Sequence, residues 1–153
     1  MKIMKKENRN MRNILFIFAL VMAMMSQAFA ADITVEMLNK RDSDNAKMVY
    51  SEDISRIDVG DTINWIATTK NHNVHFKAGP EGWEIPKRSK MNKDYSYTFD
   101  TPGIYYYECT PHKSMGMIAL IVVGDDISNK DAIAKVKVFG KSKKKLKALL
   151  EDL

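Results

Sequence analysis

The chain has 153 residues, with 24 Lys and Arg against 19 Asp and Glu, three histidines and one cysteine. The lone cysteine cannot form an intramolecular disulfide, and three histidines are too few to build more than one histidine-containing metal site of the kind a multi-metal enzyme needs. The basic excess is concentrated at the start of the chain, so the high pI is not a nucleic-acid footprint.

Taken in order, Lys2, Lys5, Lys6, Arg9 and Arg12 precede an apolar run over residues 14–25, which gives way to Ala28-Phe29-Ala30. A basic, then apolar, then small-residue order is that of a secretory signal peptide. Its apolar run, about a dozen residues, is shorter than the roughly 20 needed to span a bilayer. Residues 1–30 are therefore expected to be cleaved on export, leaving no membrane attachment; Met11 is an alternative start. Their loss removes five basic residues and one acid, leaving 19 basic against 18 acidic. Residues 31–153 are then expected to form one domain, with strands over 31–124 and a helical extension over 125–153.

Ile33, Val35 and Met37 alternate with Thr34, Glu36 and Leu38, a period of two that suits a half-buried strand. Short strands are expected at 48–50, 54–59 and 62–66, the last two separated by the turn signal Gly60-Asp61. Another is expected at 71–76, followed by an irregular stretch marked by Gly79, Pro80, Gly82 and Pro86. Tyr95, Tyr97 and Phe99 alternate again, Pro102-Gly103 turns the chain, and residues 104–109 form the next strand. Residues 117–123 are apolar on both alternating faces and so are expected to be covered on both sides. The cover is a helix in which Leu146, Leu149, Leu150 and Leu153 follow helical spacing after a candidate N-cap, Ser142, with Lys141, Lys143, Lys144, Lys145 and Lys147 facing mostly solvent. An earlier helix is expected over about 128–138. Six to eight short strands joined by turns make the chain mainly β, an antiparallel sandwich or barrel.

One stretch carries the chemistry. Cys109, His112 and Met117 place a thiol, an imidazole and a thioether within nine residues. In the strand reading, Cys109 shares a face with Tyr105 and Tyr107 and ends the strand, while Pro111 pushes Thr110 toward an extended conformation and keeps a helix from starting. Gly116 frees the backbone just before Met117. A fourth ligand must come from His72 or His75, and His72 is the better candidate, because Asn73 beside it is available as a hydrogen-bonding neighbour; His75 falls on the other face. Two histidines, one cysteine and a weak axial methionine are the ligand set of a blue-copper electron-transfer site.

The spacing of Cys109, His112 and Met117, with His72-Asn73 upstream, resembles the cupredoxins. The wording of the chain resembles the pseudoazurin family among them, at Met37-Leu38-Asn39-Lys40, Lys70-Asn71-His72-Asn73-Val74, Cys109-Thr110-Pro111-His112 and Met115-Gly116-Met117-Ile118. The resemblance implies a Greek-key β-sandwich or barrel with one or two C-terminal α-helices. It implies one type 1 copper per chain on His72, Cys109, His112 and Met117, with Asn73 bracing the thiolate. It further implies a monomeric periplasmic electron carrier that is not itself an enzyme. Such a carrier takes an electron from a donor such as a cytochrome and passes it to a terminal reductase such as copper nitrite reductase. Partners would meet an apolar patch of Met48, Pro111 and Met115 ringed by Lys40 and Lys70, to which Lys87, Lys90 and Lys113 could add. Glu108, where such chains often carry Lys, is the departure.

The remaining alternative is a periplasmic copper storage or delivery protein, since methionines bind Cu(I). Only five methionines lie beyond residue 30, and they are scattered rather than clustered. A zinc module is disfavoured because structural zinc sites use Cys and His without a thioether.

Overall fold

The computed structural model describes residues 30–153. The expected signal peptide lies, but for its last residue, outside the described residues. Eight strands come first: β1 (Asp32–Lys40), β2 (Lys47–Tyr50), β3 (Ile54–Ile57), β4 (Thr62–Ile66), β5 (His75–Ala78), β6 (Tyr95–Thr98), β7 (Gly103–Glu108) and β8 (Ile118–Val123). Two helices follow, α1 (Lys130–Ala134) and α2 (Ser142–Glu151). The strands form two four-stranded sheets, ordered β2-β1-β4-β6 and β3-β8-β7-β5. Pairing is antiparallel except at β1–β4 and β3–β8, so both sheets are mixed rather than purely antiparallel. Among the described residues no helix is long and apolar enough to cross a membrane.

The period-two pattern decides what each face buries. Val35 and Met37 of β1, Ile63 and Trp65 of β4, Tyr105 and Tyr107 of β7, and Ala119, Ile121 and Val123 of β8 point into one core between the sheets, with Phe76 and Phe99. The other face of β7 and β8, carrying Ile104, Tyr106, Ile118, Leu120 and Val122, is covered by Ile133 of α1 and by Leu146, Leu149 and Leu150 of α2. This is the two-sided burial that the apolar β8 sequence requires. Each of those leucines contributes about 1.5–3 kcal/mol by leaving water, which a ten-residue helix needs because its own propagation is marginal.

Four local expectations are corrected. Residues 71–74 are not strand: Asn71 has φ +73°, a left-handed conformation that asparagine tolerates and a pleated strand does not. His72 and Asn73 are consequently both buried, in a loop leading into β5, instead of alternating. The helix expected over 128–138 shrinks to α1; Val136 and Val138 leave it but still pack on the second core. Ser142 is the first residue of α2 and not its cap, a position Lys141 holds without a side-chain bond. Lys145, finally, is not a solvent-facing lysine, since its ammonium lies 2.6 Å from Asp53, which also meets Arg41 at 2.9 Å.

Candidate metal centre

At the end of β7 the chain enters a compact turn. Cys109 is extended (φ −87°, ψ 118°), and Thr110-Pro111-His112 then make one 3-10 turn. Pro111 therefore does not prevent a helical turn. It sits inside the first turn, where its missing N–H would have had no helical partner, and Cys109 rather than Thr110 is the extended residue. The His112 amide donates to the Cys109 carbonyl at 3.0 Å, the Met115 and Met117 amides donate to the His112 carbonyl at 2.9 and 3.3 Å, and the Cys109 amide donates to the Met117 carbonyl at 2.9 Å. Gly116, at φ +104°, supplies the reversal that closes this ring of bonds. Cys109 and Met117 are thus joined through their backbones, and both are fully buried.

His72 reaches the same point from the loop before β5. Its Nδ1 lies 3.7 Å from Cys109 Sγ, His112 Nδ1 lies 3.5 Å from Sγ, and the two Nδ1 atoms are 3.2 Å apart. These edges are close to those spanned by three donors around one first-row metal ion with bonds of about 2.0–2.3 Å. The donor set, one sulfur and two imidazole nitrogens with a thioether on the same loop, fits copper.

Neighbouring groups hold the donors in a ligating state. His72 Nε2 lies 2.8 Å from Asn39 Oδ1. That oxygen only accepts, so Nε2 carries the proton and Nδ1 presents its lone pair to the site. Burial, then the nearby His112, pushes the His72 imidazolium down to about 4, and burial lowers His112 as well, so both rings are neutral near pH 7. Burial pushes the Cys109 thiol up; the backbone amides of Asn73 and His112 favour the thiolate and offset part of this, while Glu108 adds to the rise.

The side chain of Asn73 acts on the chain beside the sulfur, and its backbone amide acts on the sulfur itself. Its Oδ1 accepts from the Thr110 amide at 2.9 Å and its Nδ2 donates to Thr110 Oγ1 at 3.1 Å. Asn73 therefore straps the residue after Cys109 to the residue after His72, and only its backbone amide bears on the sulfur. Tyr50 OH donates to the Asn73 carbonyl at 2.8 Å and completes that strap.

Of the expected contact residues, Pro111 and Met115 are exposed beside half-buried His112, and Lys40, Lys70 and Lys113 are exposed. Met48 is half-buried against the main core in a left-handed conformation (φ +52°). Glu108 is buried and accepts from Tyr106 OH at 3.4 Å; burial raises its carboxyl, and the nearby Lys113 and Lys77 offset part of that rise. His75 pairs across from Glu108 and is not part of the donor cluster. Asn39 is the residue that sequence reasoning missed: it stood in a quoted segment, but nothing in a chain separation of 33 signals contact with His72.

Comparison with known proteins agrees with this geometry. The family described as copper binding proteins, plastocyanin/azurin family, matches residues 35–124. A pseudoazurin of Paracoccus pantotrophus is 40% identical over 137 residues, covering 88% of this chain and 92% of the relative. A pseudoazurin of Methylorubrum extorquens is 33% identical over 137 residues, covering 88% and 90%. The crystal structure of native pseudoazurin from Hyphomicrobium denitrificans superposes with a TM-score of 0.73 at 32% identity, covering 80% of this chain and 98% of that one.

Proposed function

Since this chain belongs to the plastocyanin/azurin family of copper-binding proteins, and within it to the pseudoazurins, we propose that it is a periplasmic carrier that delivers single electrons to a terminal reductase. It is a type 1 copper electron-transfer protein, not an enzyme. The observation that carries the reading is the triangle of Cys109 Sγ, His72 Nδ1 and His112 Nδ1, closed by buried Cys109 and His72 and by half-buried His112, whose chain neighbours Pro111 and Met115 are exposed.

His72, Cys109, His112 and Met117 would hold copper, two imidazoles and a thiolate with a thioether as the weaker donor. Bound there, the ion supplies a one-electron couple between Cu(II) and Cu(I). The protein's share is to keep the donors from moving between the two states, which the Asn39–His72 bond and the Asn73–Thr110 strap accomplish. Cys109 is buried away from solvent, whereas His112 is the ligand nearest the surface, so a partner docking over Pro111 and Met115 approaches the copper through that imidazole. Lys40 follows Asn39 and Lys70 precedes Asn71 by one residue, which puts both charges at the His72 side of the site, where an acidic partner surface would meet them.

Cu(II) loading of the purified protein should give an intense blue colour from thiolate-to-copper charge transfer, with reversible one-electron voltammetry. Cys109→Ala should abolish the colour. A colourless copper complex, or irreversible voltammetry, would replace the carrier with a storage or delivery protein. Retention of the blue colour in Cys109→Ala would instead refute the ligand assignment.

A further inference from the structure

The loop that carries His112 and Met117 is fastened to the start of α2 by contacts that the sandwich itself does not need. Ser142, 1% exposed, donates its hydroxyl to the Lys113 carbonyl. The Lys141 amide donates to the Ser114 carbonyl at 2.9 Å. Gly140, at φ +56°, packs its backbone against that same Ser114 carbonyl so closely that a Cβ there would collide with it. Lys113 and Ser114 directly follow His112, and their own side chains are exposed. Apart from the Lys113 ammonium over the Phe139 ring at 5.8 Å, their hold on the fold is through backbone carbonyls, and the start of α2 with the two residues before it supplies the partners. The Ser142 bond reaches 29 residues back along the chain, so it is not a helix-capping bond. The helix is itself immobilised by Leu146, Leu149 and Leu150 in the second core and by Lys145 on Asp53.

We propose that Gly140, Lys141 and Ser142 form a clamp through which α2 positions the ligand loop, fixing His112 and Met117 relative to Cys109. This rests on the copper reading above and assigns a role in it to three residues that touch no ligand atom. Two consecutive carbonyls tied to one rigid helix leave the turn no free pivot, so the distance between the 3-10 turn and Met117 is held from outside the loop as well as by its internal bonds.

Ser142→Ala removes the donor with little change in volume, and Gly140→Ala pushes the helix start off Ser114. Amide exchange is read on the apoprotein, and copper loss to a chelator and the visible spectrum on the loaded protein. Both variants should exchange the Met115 and Met117 amides roughly three- to tenfold faster, the range one net hydrogen bond supports. They should lose copper faster by a similar factor and shift the charge-transfer band. Ser55→Ala, which removes a buried hydroxyl without a partner on β3, should change none of these. Exchange and copper loss within twofold of the unmodified protein in both clamp variants would overturn the proposal. Because the exchange measurement needs no metal, failure of the unmodified protein to turn blue would count against the copper reading and leave the clamp to be judged on exchange alone.

Discussion

Asn39 and the burial of two imidazoles determine how protons and metal compete at the site. With His72 held down at about 4 and His112 lowered by burial, neither ring carries a proton to release at pH 7, whereas the Cys109 thiol, raised by burial, does. Copper uptake at pH 7 should therefore release one proton, measurable by titration calorimetry in buffers of different ionisation enthalpy; release of two or three would mean the imidazoles are not held neutral. The same depression has a consequence for the apoprotein. A group whose folded pKa lies below its unfolded value adds stability above the unfolded value and loses it as pH falls, so apoprotein stability should decline between pH 6.5 and about 4 as His72 gains a proton more readily in the unfolded chain. Loaded protein should resist this fall, because copper occupies the nitrogen. Asn39→Ala removes the acceptor that orients His72 and should weaken copper affinity by about 10–100-fold, the usual effect of losing a partner behind a ligating histidine; unchanged affinity in a competition titration would show the Asn39 bond to be incidental.

At the scale of elements, α2 depends on tertiary contacts. Its three buried leucines fill the outer face of β7 and β8, and Leu146→Ala should cost about 2–5 kcal/mol in denaturant unfolding. Lys145, Asp53 and Arg41 add a charged joint between that helix, the start of β3 and the end of β1. Burial alone would raise the Asp53 carboxyl, but its bonds to Arg41 and Lys145 outweigh that and lower it below the ordinary carboxylate range. Its contribution is thus present above the ordinary value near 3.9 and lost as pH drops below it. In Asp53→Asn the acid limb of the stability curve should flatten, a comparison that thermal melts at pH 3 and pH 6 would make.

At the scale of the whole molecule, an electron carrier must bind partners weakly and release them, and the proposed docking surface combines exposed apolar Pro111 and Met115, for close approach, with exposed Lys40 and Lys70, for steering. Lys40→Glu with Lys70→Glu should slow electron transfer to an acidic partner at low ionic strength and converge on the unmodified rate as salt screens the charges; rates independent of salt in both proteins would remove the lysines from docking. The sequence by itself determined most of the strand pattern, the two-sided burial of β8 and the gathering of the donors Cys109, His112 and Met117 in one loop. Each of those depends on residue type at short spacing, which alternation and turn chemistry express locally. It also pointed to His72, because so few histidines were available. Tertiary structure alone decided that His72 sits on a loop turned by left-handed Asn71, that Asn39 sets its tautomer, that the Asn73 side chain straps Thr110, that Glu108 is buried, and that Ser142 and Lys145 face inward. Those contacts join residues that are distant in the chain and carry no local periodicity, so they exist only once the two sheets and α2 have closed around the site.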